Sequence, residues 1–123
     1  MVKKLYPLCE NHLFSKAYRK GKSAAGRLIA VYVRKNYGGK NQTKLGITVN
    51  KKLGKAFKRS RVKRIIRAGY RENMPFLKNG YIIIVAARGA AFDKGIKSGD
   101  VAKQMRKCFE KLGVLVENTG ENK

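Results

Sequence analysis

The sequence predicts an α/β protein of the α+β sandwich type, in which helices cover a small sheet of three to four strands. Its 123 residues suffice for one domain with a modest core, and 43 % of them are hydrophobic, which favours a folded chain. Segments of strand and helix periodicity follow one another in the order α-β-β-(β)-α-β-α. We therefore expect residues 1–123 to form a single domain with flexible tails at about 1–8 and 117–123.

The first half of the chain is predicted to hold a short helix and two strands. Residues 11–20 have an N-cap residue, Asn11, and a helix stop, Gly21. Residues 27–34 are rich in β-branched side chains and predict a strand. A polar turn at 36–43 follows, and residues 44–50 are expected to return from it as the next strand, in a hairpin.

The second half is predicted to be helix, strand, helix. A long helix runs from about Ala56 to Asn73, because Pro75 prevents much continuation. Residues 81–87 are apolar throughout and predict a central strand that is buried on both faces. The long helix thus joins two strands in a β-α-β crossover, for which general statistics favour the right-handed form. The last helix places on one face Val101, Met105, Cys108, Phe109 and Leu112.

Charge is strongly segregated along the chain. Thirty lysines and arginines stand against seven acids, for a formal net charge of +23. Residues 11–71 contain nineteen of these cations and no acid at all. Such a field attracts phosphate backbones and speeds association with them, so we expect a nucleic-acid partner.

Other uses of a basic chain find less support. The longest apolar run, residues 81–87, is too short to span a bilayer. The N-terminal residues lack an apolar signal core, so we expect a cytoplasmic protein. Cys9 and Cys108 are too few for a disulfide framework or a zinc site and are interpreted as reduced thiols.

The segment 51–71 is the most informative in the chain, since it holds ten cations and no acid, yet its apolar residues recur at helical spacing. With Val62 as the reference, Ile65, Ile66, Gly69 and Tyr70 fall within about 80° on either side of it. A merely solvated helix face normally mixes its charges, because like charges at i,i+4 weaken a helix. We interpret the segment as a nucleic-acid-binding helix.

Aromatic residues set among cations form a second candidate site. Phe14, Tyr18 and Tyr32 have Arg19 and Arg27 interleaved with them, together with Lys20 and Lys22. Channels for single-stranded nucleic acid use this combination, in which bases stack on rings and charges follow the backbone. The alternative is that Phe14 and Tyr18 are ordinary core residues of a short helix, and both interpretations are open on these residues alone.

No catalytic set is expected. His12 is the only histidine and stands at a polar helix start, where a surface role is the simplest interpretation. The acids are scattered, so neither a carboxylate pair nor a metal site is predicted, and no glycine-rich phosphate loop occurs. The protein is expected to assist a reaction without supplying its reacting groups.

These blocks resemble the protein subunit of bacterial ribonuclease P. Residues 46–71 (GITVNKKLGKAFKRSRVKRIIRAGYR) are similar to the family's glycine-led strand, its Lys-Lys-x-Gly-x-Ala turn and its arginine-rich helix signature. Phe14, Tyr18 and Gly21 resemble the family's first helix, and Arg27 and Tyr32 fall where that family has its first strand. The family signature Arg-Asn-Arg is here Arg59-Ser60-Arg61, which puts any contact that needs an amide in doubt, although serine can cap a helix.

The resemblance implies a left-handed β-α-β crossover, against the general statistics. It also implies that the protein is the non-catalytic subunit of a ribonucleoprotein endoribonuclease that removes the 5′ leader from precursor tRNA. Metal ions held by the RNA, Mg²⁺ in particular, would carry out the hydrolysis, and the protein would be a monomer apart from the RNA complex. The leader would lie between the first helix and the sheet, at Phe14, Tyr18, Arg19, Arg27 and Tyr32.

The catalytic RNA would be contacted by the long helix and the turn before it. The residues assigned to this contact are Lys51, Lys52, Arg59, Ser60, Arg61, Lys63, Arg64, Arg67 and Arg71. The alternative function is a basic ribosomal protein or RNA chaperone, which would not need the aromatic cleft. A DNA-binding architectural protein is a further alternative, to be recognised by binding to duplex DNA that is independent of 2′-hydroxyls.

Overall fold

The computed structural model describes residues 6–7, 21–35, 43–93 and 95–115. Within these residues the strands form one sheet, in the order β1-β4-β5-β3-β2. Its strands are β1 (Tyr6–Pro7), β2 (Lys22–Ala25), β3 (Ile29–Lys35), β4 (Lys44–Thr48) and β5 (Tyr81–Ala87). β5 pairs parallel with β4 and antiparallel with β3, so it is the central strand.

Two long helices are described, α1 (Ala56–Asn73) and α2 (Ser98–Leu112). Short 3-10 turns occupy Lys51–Leu53, Met74–Phe76 and Gly89–Phe92. The helices and one face of the sheet share a single hydrophobic core. In that core the ring of Tyr70 on α1 meets the ring of Phe109 on α2 edge to face, with centroids 6.4 Å apart.

The sheet is buried on both faces along β5. Ile83 and Val85 belong to the core beneath the helices, and Ile82 and Ile84 point to the opposite face. All four side chains are exposed by 1 % or less. The prediction of a central strand covered on both sides is therefore confirmed.

The long helix has the predicted bounds, and it joins two adjacent parallel strands, which confirms the β-α-β crossover. The left-handed sense stays a prediction from the resemblance. The predicted hairpin between β3 and β4 is wrong, because β5 lies between them. A strand that is apolar on both faces buries the most hydrophobic surface at the centre of the sheet. β5 therefore lies between β3 and β4 and takes the place of the predicted hairpin pairing. The optional further strand is present as β2, paired antiparallel with β3.

Close packing of α1 on α2 depends on Gly69 and Asn73. A Cβ atom at Gly69 would lie 3.1 Å from the backbone nitrogen of Ala102, so glycine lets the two backbones approach. Asn73 is 2 % exposed, and its side-chain amide donates to the carbonyls of Gly69 at 3.1 Å and Ala102 at 3.2 Å. A buried amide without such partners would cost about 1–3 kcal/mol, so these bonds fix the register of the helix pair.

The predicted first helix at 11–20 lies outside the described residues. The same holds for residues 1–5, 8–10 and 116–123, so the predicted flexible tails stay predictions. Tyr6 and Pro7 pair with Lys44 and Leu45 at the edge of the sheet.

Candidate nucleic-acid interface

The outer side of α1 presents a row of exposed cations. Its inner side buries Val62, Ile66, Gly69, Tyr70 and Asn73 against the core, as the helical spacing predicts. The basic face of α1 consists of the exposed residues Ser60, Lys63, Arg64, Arg67 and Arg71. A single acid, Glu72, lies in the helix, so the positive potential of this face is almost uncompensated.

The turn before α1 adds two more exposed cations, Lys51 and Lys52. Asn50 fixes this turn, because its side-chain oxygen accepts a hydrogen bond from the backbone N–H of Lys52 at 2.9 Å. The chain then passes through Gly54 into α1, whose N-cap residue, Lys55, makes no side-chain capping bond. The first N–H groups of the helix therefore lie among cations and have no side-chain cap. A bound anion would stabilise this end of the helix.

Arg59 and Arg61 differ from the other predicted contacts, because both are partly buried and hydrogen-bonded within the protein. The Arg59 Nε donates to the carbonyl of Gly54 at 3.2 Å, and an Arg61 Nη donates to the carbonyl of Ile96 at 3.0 Å. Each bond uses one of the five N–H donors of a guanidinium, so four remain for a ligand. The bonds hold the two side chains in place without a bound ligand.

Ser60 does not cap the helix, although a serine could have done so. It is the fifth residue of α1 and lies on the exposed basic face. A cap needs an extended backbone before the first helical residue, and Lys55 occupies that position here. The side chain of Ser60 is exposed, and the effect of this serine on affinity stays a prediction.

Tyr32 lies on the other side of the sheet. Along β3, Val31 and Val33 are buried in the core, and Tyr32 between them points to the face opposite the helices. Arg27 is exposed in the turn that joins β2 to β3. The structure thus separates Tyr32 from the basic face of α1, which lies on the helix side.

The turn that carries Arg27 is held by α2. The side-chain oxygen of Gln104 accepts hydrogen bonds from the backbone N–H groups of Leu28 and Ile29, the second at 3.0 Å. Gly26 packs directly on the Gln104 side chain, where a Cβ atom would collide with it. Sequence reasoning missed this contact, because a glutamine in a helix gives no signal of a partner 75 residues away.

Three of the predicted leader residues, Phe14, Tyr18 and Arg19, lie outside the described residues. Among the residues that are described, no three of His, Cys, Asp and Glu cluster as metal ligands would. Nor does any helix in those ranges have the length and apolar character to cross a membrane.

Two buried groups have shifted pKa values, and both belong to the core. Burial raises the pKa of the Tyr70 hydroxyl well above its ordinary value of 10.0. Burial also raises the pKa of the Cys108 thiol, against a smaller opposing effect of Lys111. Neither group faces the candidate interface.

Comparison with known proteins assigns the chain to a family. The model of the family described as Ribonuclease P matches residues 2–113. The chain belongs to the ribonuclease P protein family. A "Ribonuclease P protein component" of Clostridium acetobutylicum is 41 % identical over 107 residues, covering 87 % of this chain and 88 % of the relative. One from Clostridium perfringens is 42 % identical over 115 residues, covering 89 % and 90 %.

Solved structures agree with this assignment. The ribonuclease P protein of Staphylococcus aureus is 32 % identical, with a TM-score of 0.77, over 90 % of this chain and 98 % of that one. The protein from Thermotoga maritima is 27 % identical, with a TM-score of 0.70, over 85 % and 94 %. The fold and the resemblance seen in the sequence are confirmed.

Family membership gives the role of the chain. It is the protein subunit of a ribonucleoprotein endoribonuclease that works in tRNA 5′-leader processing, with an RNA subunit as its partner. This decides against the alternatives of a ribosomal protein, an RNA chaperone without enzymatic role, or a DNA-binding architectural protein.

Proposed function

We propose that the two sides of the domain bind two different RNAs. The basic face of α1, with Lys51, Lys52, Arg59 and Arg61, binds the catalytic RNA. The opposite sheet face, with Tyr32, and the turn that carries Arg27 bind the 5′ leader of precursor tRNA, together with Phe14, Tyr18 and Arg19. The separation of the exposed cations on α1 from Tyr32 on the far side of the sheet carries this proposal.

The basic face suits a structured RNA. Lys63, Arg64, Arg67 and Arg71 are exposed on one side of a helix, where they can follow phosphates over about two turns. Arg59 and Arg61 are held by backbone carbonyls, so less side-chain entropy is lost when they bind a phosphate. These contacts read charge and shape, which is what a protein that serves one large folded RNA requires.

The sheet face suits a single strand. A tyrosine ring offers a stacking surface to any base, and stacking contributes about 1–3 kcal/mol per base. Only the precursor has a leader, so leader binding favours precursor over the mature product. Contacts of this kind tolerate many leader sequences, which a processor of many different precursor tRNAs needs.

The hydrolysis itself is assigned to metal ions, Mg²⁺ in particular, bound by the catalytic RNA. The protein contributes positive charge, which reduces repulsion between two RNAs and lowers the Mg²⁺ concentration needed for assembly. Its own acids are few and dispersed in the sequence, which supports this division of labour. We place the complex in the cytoplasm, with one copy of the protein per RNA, since a net charge of +23 opposes self-association.

The test is cleavage of a precursor tRNA by a bacterial ribonuclease P RNA at low Mg²⁺, with and without the protein. We expect strong stimulation by the protein. Tyr32→Ala should weaken binding of the leader-bearing precursor by about 1–3 kcal/mol and leave leaderless tRNA unaffected. Phe76→Ala is the matched control, because Phe76 is also exposed but lies in the turn after α1.

Equal loss of affinity for precursor and leaderless tRNA would contradict the leader site at Tyr32. A protein that binds the RNA tightly but gives no stimulation would contradict the proposed role of its charge in assembly.

A further inference from the structure

Phe57 is an exposed aromatic residue at the start of α1. It is the second residue of the helix, and 68 % of its surface is exposed, so it contributes little to the core. A single exposed apolar side chain needs no explanation by itself. Phe57, however, forms one wall of a pocket within the most basic segment of the chain.

This pocket has a volume of about 320 Å³. It is lined by Phe57, Lys58, Arg61, Val62, Phe92 and Gly95. Two aromatic rings and two cations therefore converge on one cavity, and no acid is among the lining residues that the structure describes. The volume lies at the lower end of the range for small-ligand sites, about 300–1,000 Å³.

The pocket is held open by contacts outside it. A Cβ atom at Gly54 would lie 2.8 Å from the ring of Phe92, so Phe92 packs against bare backbone. Arg61 is tied to the carbonyl of Ile96, at 3.0 Å, next to the pocket residue Gly95. Two sides of the pocket are thus fixed, and Phe57 forms its exposed side.

We propose that this pocket takes an unpaired nucleobase of RNA, which stacks on Phe57 while Lys58 and Arg61 bind its flanking phosphates. The proposal rests on the proposed function of the basic face, which it deepens by a base contact. Every base has a π-face, and rings set among cations are the usual platform for unpaired bases. A protein partner is disfavoured, because the lining cations and the ten cations of residues 51–71 select a polyanion.

Fluorescence gives a direct test, because the chain contains no tryptophan. Phe57→Trp places a single reporter in the pocket, and Phe76→Trp places one in the turn after α1, about 25–30 Å away along the helix. On titration with ribonuclease P RNA, we expect stacking to quench the reporter at 57 strongly and leave the reporter at 76 nearly unchanged. Equal response of both reporters would overturn the proposal.

Affinity gives an independent test on the same complex. Phe57→Ala and Phe57→Leu should each weaken RNA binding roughly 5- to 150-fold, and Phe57→Tyr should bind as the unaltered protein does. The slope of log Kd against log salt should stay the same, because no charge is removed. Phe76→Ala serves as the control.

The outcomes separate this proposal from the function on which it rests. If the unaltered protein binds the RNA with a strong salt dependence, but Phe57→Ala binds equally well, the base pocket is wrong and the basic face stands. If the Phe57→Leu variant binds the RNA as tightly as the unaltered protein does, the contact is not stacking and the proposal fails. If the unaltered protein does not bind the RNA, the proposed function itself fails.

Discussion

The two helices of this domain pack against the same core and differ in the charge that they present to solvent. Both bury one face in the shared core, where Tyr70 of α1 meets Phe109 of α2. Outside the core, α1 carries seven cations and one acid, and α2 carries four cations and two acids. Since α2 packs well with a mixed surface, the excess charge of α1 is not required by the fold.

The helix N-termini differ in the same sense. In α2, the carboxylate of Asp100 accepts a hydrogen bond from the backbone N–H of Lys97 at 2.9 Å. In α1, no acid lies in the first turn and Lys55 makes no capping bond, so cations face the positive end of the helix dipole. The N-terminus of α1 is therefore less stable by itself than that of α2, and an anionic ligand bound there would restore the missing stability.

Removal of charge from α1 should have the largest effect. We expect the combined change Lys63→Gln, Arg64→Gln and Arg67→Gln to weaken binding to ribonuclease P RNA on the order of a hundredfold. The slope of log Kd against log salt should fall by about 2 to 3. Filter binding over a range of salt concentrations measures both, and the melting temperature should stay equal or rise as repulsion is removed.

The matched control removes three exposed lysines from α2, by Lys103→Gln, Lys107→Gln and Lys111→Gln. This variant has the same net charge as the first. An equal loss of affinity in both variants would show that total charge alone governs binding. It would contradict the proposal that the cations of α1 contribute more than those of α2.

Exchange of the helix caps should have a smaller effect, with opposite signs on the two helices. Lys55→Ser supplies α1 with a cap and should raise the free energy of unfolding by about 0.5–1 kcal/mol. Asp100→Ala removes the bond to Lys97 and should lower it by a similar amount. Urea unfolding measures both changes. If neither Lys55→Ser nor Lys55→Asp raises the free energy of unfolding, the N-terminus of α1 does not need a cap.

The smallest effect concerns pH and compares the buried faces of the helices. Burial raises the pKa of Tyr70 on α1 and of Cys108 on α2 above their ordinary values of 10.0 and 9.0. The unfolded chain therefore loses these protons first, so the free energy of unfolding is at its full value below about pH 9 and falls as pH rises further. Tyr70→Phe and Cys108→Ala should each lessen this fall.

Urea unfolding at about pH 8 and about pH 10.5 gives the difference for each variant. An unchanged fall in the Tyr70→Phe variant would contradict the assignment of its raised pKa to burial.

Local signals in the sequence predicted the elements, and non-local contacts limited the rest. The bounds of α1 and β5 follow from helical spacing and an unbroken apolar run, which need no knowledge of partners. β2 has a short, mostly exposed sequence (KSAA) and gains its structure from pairing with β3. The hairpin between β3 and β4 was wrong because the better partner for both, β5, comes some 40 residues later in the sequence.

The same limit applies to the candidate site. The cations of α1 were predicted because charge and helical spacing are visible in the sequence. The anchoring of Arg61 by Ile96 and the packing of Phe92 on Gly54 join segments that are distant in sequence, so no local pattern indicates them. The pocket at Phe57 was missed for that reason.

The central position of β5 also determines when the sheet can form while the protein is made on the ribosome. Neither β3 nor β4 has its inner neighbour until residues 81–87 have been made, and the Gln104 bonds to Leu28 and Ile29 come later still. The acid-free stretch 11–71 thus leaves the ribosome before its sheet can close. For that interval a strongly cationic nascent chain emerges next to ribosomal RNA, with β3 and β4 still without the strand that joins them.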